Sequence, residues 1–109
     1  MSSSSGSYMI KEKYFLFFLF NTEPKQARII LSNLTVGQIL CLQELCKNLV
    51  NNIIPLTPKE IDQLTPYKRV IKVLSQGNLA FRRKVIKTRK VKVYKFLKII
   101  QTKILTIIS

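Results

Sequence analysis

Apolar side chains recur along this chain at helical spacing, and each run follows a residue suited to starting a helix. Ala27, Ile30, Leu31 and Leu34 come after Thr22-Glu23-Pro24-Lys25 and predict a short helix over Gln26 to Leu31. Thr35-Val36-Gly37-Gln38 has the form of a capping box: the threonine oxygen accepts from the backbone three residues on, and the glutamine side chain reaches back. Beyond it Ile39, Leu42, Cys46, Leu49, Val50 and Ile53 fall on one stripe, with Gln43, Glu44, Lys47 and Asn48 largely outside it. This is the strongest helix in the sequence. Asn51-Asn52 ends it, and Ile53-Ile54-Pro55-Leu56 reads as an extended connector because a residue before proline avoids the helical region.

Thr57-Pro58-Lys59-Glu60 combines an N-cap, a proline at the first helical position and a capping-box glutamate. The signal restarts at Leu64-Thr65-Pro66-Tyr67, so the chain should make a turn or two of helix, kink and begin again. Tyr67, Val70, Ile71 and Leu74 then form an apolar face opposite Lys68, Arg69 and Lys72, and Gly77 suits the left-handed conformation that stops the helix. After Leu79, Phe81, Val85 and Ile86 still suit a helix. Val93, Phe96, Leu97, Ile100, Ile104 and Ile107 continue at helical spacing, and helix is favoured there over the strand that Val91 and Val93 would also allow.

The expected fold is all-α. A bundle of four or five short helices spans residues 22–75, with Leu42, Cys46, Leu49, Ile53, Leu56, Ile61, Leu64, Val70, Ile71 and Leu74 as its core. Residues 1–21 read as a flexible leader, Met1 to Ser7, followed by an apolar segment. Residues 76–109 read as a basic helical C-terminal extension that orders on meeting its partner. The apolar segment, Tyr14 to Phe20, follows Lys11 and Lys13 but is far short of the ~20 residues that span a bilayer. The sequence after it lacks a small-x-small cleavage site, which makes secretion an unfavoured reading and self-association through Tyr14 to Phe20 a reasonable one.

Charge adds the most telling feature. The 109 residues carry a formal net charge of +14, unevenly spread. Six Lys or Arg share the stretch up to Asp62 with all five acids, whereas thirteen Lys or Arg and no acid follow it. Such a segment repels itself, and a polyanion relieves that repulsion while releasing its own condensed counterions. The candidate nucleic-acid-binding residues are Lys68, Arg69 and Lys72 on one helix and Arg82, Arg83, Lys84, Lys87, Arg89, Lys90, Lys92 and Lys95 beyond it. Their lysine content favours phosphate contact over base reading. Tyr94 and Phe96 lie among them; aromatics so placed can stack on bases, though the core is the commoner fate. The cluster beginning at Arg82 also has the composition of a nuclear-import signal. A chain ending at Ser75 should therefore lose nucleic acid in a salt-titrated gel shift.

Leu45-Cys46-Lys47-Asn48-Leu49, Ile54-Pro55-Leu56-Thr57, Tyr67-Lys68, Leu74-Ser75 and Arg82-Arg83-Lys84 stand in an order that resembles the small basic proteins of Polinton or Maverick-type DNA elements and the related adintoviruses. The resemblance covers roughly Lys25 to Lys87. It implies a virion or core protein that accompanies DNA, in the nucleus or the virion. The family closes on a Gly-Gly-containing apolar tail, whereas this chain has no glycine after Gly77.

Catalytic chemistry is poorly supplied. There is no histidine, and Cys41 and Cys46 have no histidine to activate them and are too few to complete a zinc site. Five apart on a helix, they point about 140° from each other and cannot bridge. The expectation is two core thiols in a reducing compartment, no metal, no cofactor and no enzymatic activity. A reading of another class is a membrane-surface protein, in which Lys84 to Ile108 forms a cationic amphipathic helix on an anionic membrane.

Overall fold

The sequence caps set where the helices start. Gln38 N donates to Thr35 Oγ1 at 3.1 Å while Thr35 N donates to Gln38 Oε1 at 2.9 Å, a complete capping box. Thr57 and Glu60 repeat it at 3.2 and 2.8 Å, with Pro58 at the first helical position. Asn78 caps a further helix by accepting from Phe81 N at 2.8 Å. The computed structural model describes residues 7–109, and the expected leader up to Gly6 lies outside them. Its elements are α1 (Tyr8–Lys11), α2 (Lys13–Phe20), α3 (Pro24–Ser32), α4 (Val36–Val50), α5 (Pro58–Leu64), a 3₁₀ turn (Thr65–Tyr67), α6 (Lys68–Ser75), α7 (Leu79–Thr88), α8 (Lys90–Ile99) and α9 (Gln101–Ile108). The protein is all-α, and the described residues contain no strand.

Helix α4 is the hub. It packs on α6, α1 and α7, while α3 lies against α8 and α7, α5 meets α8, and α2 meets α9. Its two cysteines are both buried, because the face of α4 that enters the core is broad enough to include Cys41 as well as the Cys46 stripe. Ser7, the last residue of the expected leader, caps α1, and its hydroxyl donates to Glu44 Oε2 at 2.7 Å while Tyr8 N donates to Glu44 Oε1 at 2.8 Å.

The core does not divide as the charge pattern suggested. Phe15, Leu16, Leu19 and Phe20 of α2, and Ile86, Val93, Phe96, Leu97, Ile100, Ile104 and Ile108 of α7 to α9, belong to the same buried cluster as Leu42, Cys46, Leu49 and Leu74. Residues 76–109 are thus three packed helices rather than an unordered extension. The physical reason is area: a chain of this length closes one core, and the densest apolar spacing outside α4 lies in α2 and in α8 to α9. The radius of gyration, 12.8 Å, is that of a single folded unit of about 100 residues. Of the apolar run, only Tyr14 and Phe18 face outward and Phe17 lies between.

Three expected core positions change. Asn52 adopts φ 57°, and both Ile53 N and Ile54 N turn back to Asn48 O, so the register slips by one: Ile54 is buried and Ile53 is 63% exposed. Ile61 is 54% exposed on α5, and Leu56 is half-buried. At Ile100, φ of −98° and ψ of 6° break α8 from α9; Ile104 is buried as expected, and Ile108 rather than Ile107 enters the core at the end of α9. Gly77 takes φ 81°, and a Cβ there would sit 2.9 Å from the Phe81 ring.

Two outcomes follow. A chain ending at Ser75 loses Ile86, Phe96, Ile100 and their neighbours from the shared core, so it should show no cooperative thermal transition by circular dichroism rather than a folded unit lacking only the cations. Glu60 is held below the ordinary carboxylate range, first by the Thr57 N–H and then by Lys103. A lowered pKa contributes stability above the unfolded value, about 4.3, and loses it as pH falls through the folded one. Denaturant melts of native protein and Glu60→Gln should therefore differ most at neutral pH and converge in acid.

Candidate nucleic-acid interface

The thirteen basic residues after Asp62 do not share one surface. Several turn inward, and with few carboxylates to meet they donate to carbonyl and hydroxyl oxygens. Arg82 is buried; its Nη1 donates to the Gly77 carbonyl and, at 3.3 Å, to that of Gln76, at the end of α6. Its Nε is buried without a partner among the described residues. Arg83 Nη1 donates to Leu34 O at 2.8 Å, Lys90 Nζ to Ser32 Oγ at 2.9 Å, and Lys98 Nζ to Phe20 O at 2.8 Å. Lys103 Nζ donates to Pro55 O at 2.8 Å and lies 3.5 Å from Glu60 Oε1, the one ion pair among the described residues. Such donors satisfy carbonyls that helix ends leave open.

The cations that stay at the surface, with Arg83 and Lys90 among them, gather in three places. Arg89, Lys90, Lys92 and Lys95, at the junction of α7 and α8, converge with Arg28 of α3 around a cleft of about 720 Å³. Pro66, Tyr67 and Val91 give it an apolar floor, and no carboxylate lines it. Helix α8 places these cations because it is two-sided: Val93, Phe96 and Leu97 enter the core, which holds Lys92 and Lys95 outward. A second depression, on α7, carries Arg83, Lys84 and Lys87 beside Leu79 and Ala80. Lys68, Arg69 and Lys72 belong to neither; they line a groove between α6, α5 and the end of α4.

Of the expected site residues, the fold brings Arg89, Lys90, Lys92 and Lys95 together, sets Arg83, Lys84 and Lys87 beside them, separates the α6 cations and withdraws Arg82 into the protein. Sequence reasoning missed Arg28 and Tyr67. Nothing in linear order links Arg28 to α8, since only the packing of α3 on α8 does so. Tyr67 reads as part of the apolar face of α6 but sits in the 3₁₀ turn before it, where a second proline at Pro66 was the available signal. The two aromatics picked from the sequence are otherwise engaged: Phe96 is fully buried, and Tyr94 OH donates to Thr22 O at 3.0 Å.

Burial pushes the Cys41 and Cys46 thiols up, with the Glu44 carboxylate adding to the effect at Cys41, so neither is a ready nucleophile. No three metal-ligating His, Cys, Asp or Glu side chains come together among the described residues. No single described helix is long and apolar enough to cross a membrane; α3 and α4 together reach that length and composition but are bent by 112°. The apolar side chains that an interfacial helix over Lys84 to Ile108 would insert are largely those that fill the core. Comparison with known proteins finds no family model, no curated protein and no solved structure that matches this chain.

The contrast between inward and outward cations is measurable. Arg82→Ala removes a charged donor from two carbonyls and a packed stem, and should destabilise the fold by about 2–3 kcal/mol in urea melts. Lys84→Ala, on the same helix but exposed, should stay within about 0.5 kcal/mol of the parent.

Proposed function

We propose that the protein binds nucleic acid through its phosphate backbone and carries out no chemistry on it. The observation that carries this reading is the cleft in which Arg28, Arg89, Lys90, Lys92 and Lys95 converge with no carboxylate among them. Like charges lining one cleft with no acid among them raise one another's energy, and a phosphate chain laid along it relieves this while shedding counterions. Only two of the five are arginines, so contact with phosphate predominates over bidentate reading of guanine. Lys84 and Lys87 extend the positive surface along α7. Lys68, Arg69 and Lys72 line a different groove and add only to the overall positive field of the protein, which salt screens. DNA is the favoured partner, and packaging in a virion or core the favoured setting, on the resemblance to the basic proteins of Polinton-type elements.

Fluorescence anisotropy with a labelled duplex should give a log–log salt slope of roughly −4 to −5, the value for about five neutralised phosphates. Lys92→Gln with Lys95→Gln should flatten that slope by about two without altering the melting temperature, both side chains being exposed. Binding that ignores salt, or ignores the double variant, overturns the reading. Binding to anionic vesicles but not to the duplex would transfer the cleft to a membrane surface.

A further inference from the structure

The sequence marks Ile53, Leu56 and Ile61 as core, yet the folded chain leaves Ile53 and Ile61 open and Leu56 half-covered. Ile61 and Leu56 flank a groove of about 650 Å³, floored by Leu49, Leu64 and Ile71 and continued outward by Val50, which is 44% exposed. Lys68, Arg69 and Lys72 stand along one wall, and no Asp or Glu lines it. An apolar groove bordered by cations of one sign, with no acid beside them, offers a partner both apolar contact and charge complementarity.

We propose that this groove docks an acidic amphipathic helix of a partner protein, with the partner's apolar stripe on Leu49, Ile61, Leu64 and Ile71 and its carboxylates against Lys68, Arg69 and Lys72. Three features select that occupant. The groove wants apolar side chains and the wall wants several negative charges, a combination that an amphipathic helix with Asp or Glu beside its stripe presents on one surface. Lys68 and Lys72 are one helical turn apart, so their spacing matches carboxylates one turn apart on a facing helix. A second copy is a poor occupant: it brings a net charge of +14 and only five acids to a wall that is already basic. Binding here is independent of the nucleic-acid cleft, which lies between other elements and is lined by different residues.

The probe is a fluorescein-labelled peptide of about 18 residues with leucines at i, i+3, i+4 and i+7 and glutamate on the flanks of that stripe. Titrated with the full-length protein, it should bind saturably, and the same peptide with lysine for glutamate, or with serine for leucine, should not. Ile61→Ser and, separately, Lys68→Gln with Lys72→Gln should each weaken it by about tenfold or more. All three positions are exposed, so far-UV circular dichroism should stay that of the parent. Lys92→Gln with Lys95→Gln should leave peptide binding intact, and Ile61→Ser should leave duplex binding intact. Equal binding of the serine-substituted peptide, indifference to Ile61→Ser, or no binding at all overturns the assignment. So does sedimentation equilibrium showing a dimer that Ile61→Ser dissolves, or attachment to anionic vesicles that Ile61→Ser abolishes.

Discussion

A chain with nineteen cations and five carboxylates cannot neutralise its basic groups by ion pairing, and the fold is organised around what they do instead. Where a lysine or arginine must lie against the protein, it donates to backbone carbonyls, chiefly those that helix ends and loops leave unsatisfied. Arg83 reaches Leu34, Lys98 reaches Phe20, and Lys103 reaches Pro55, each joining α7, α8 or α9 to a part of the chain at least 48 positions away. A hydrogen bond from a charged donor is worth more than a neutral one, and it leaves no counter-charge behind to be solvated. The basic segment is thereby stitched to the less charged half rather than repelled from the body of the protein.

The same constraint decides which cations remain free. Once Arg82 is buried and Lys98 and Lys103 are tied down, the outward positions of α8 and the end of α7 are left without opposing charge, and the packing of α3 brings Arg28 among them. Because Phe96 and Leu97 anchor α8 from the other side, the backbone that carries Lys92 and Lys95 is fixed by the core. Binding to a preformed site avoids most of the ordering cost that a disordered basic tail would incur.

Apolar side chains divide in a comparable way. Most serve the single core, Ile54 of the connector included, but Ile53, Leu56 and Ile61 are left open or half-covered, and the cations of α6 share a groove with Leu56 and Ile61. A basic wall beside open apolar surface differs in kind from the acid-free cleft: the first sets charge next to apolar side chains, the second gathers cations from two sides.

Much of this was legible in linear order. Helical spacing, the Thr35 and Thr57 capping boxes, Pro58 and Pro66, the stop at Asn51-Asn52 and the left-handed Gly77 are all local, acting within about one turn of chain, and so the sequence alone determined the all-α class, the starts of α4, α5 and α6 and the unequal spread of charge. Other features depend on single backbone angles or on distant neighbours. The φ of Asn52 moved burial from Ile53 to Ile54, because a left-handed residue turns the side chains just after it to another direction, and at the end of α9 Ile108 is buried rather than Ile107. That residues 76–109 complete the core, that Arg82 is internal while Lys92 is not, and that Arg28 and Tyr67 stand with the α8 cations were decided only by tertiary packing. Arg and Lys look alike along a chain whether they end at the surface or against a carbonyl, and only the arrangement of helices in space determines which.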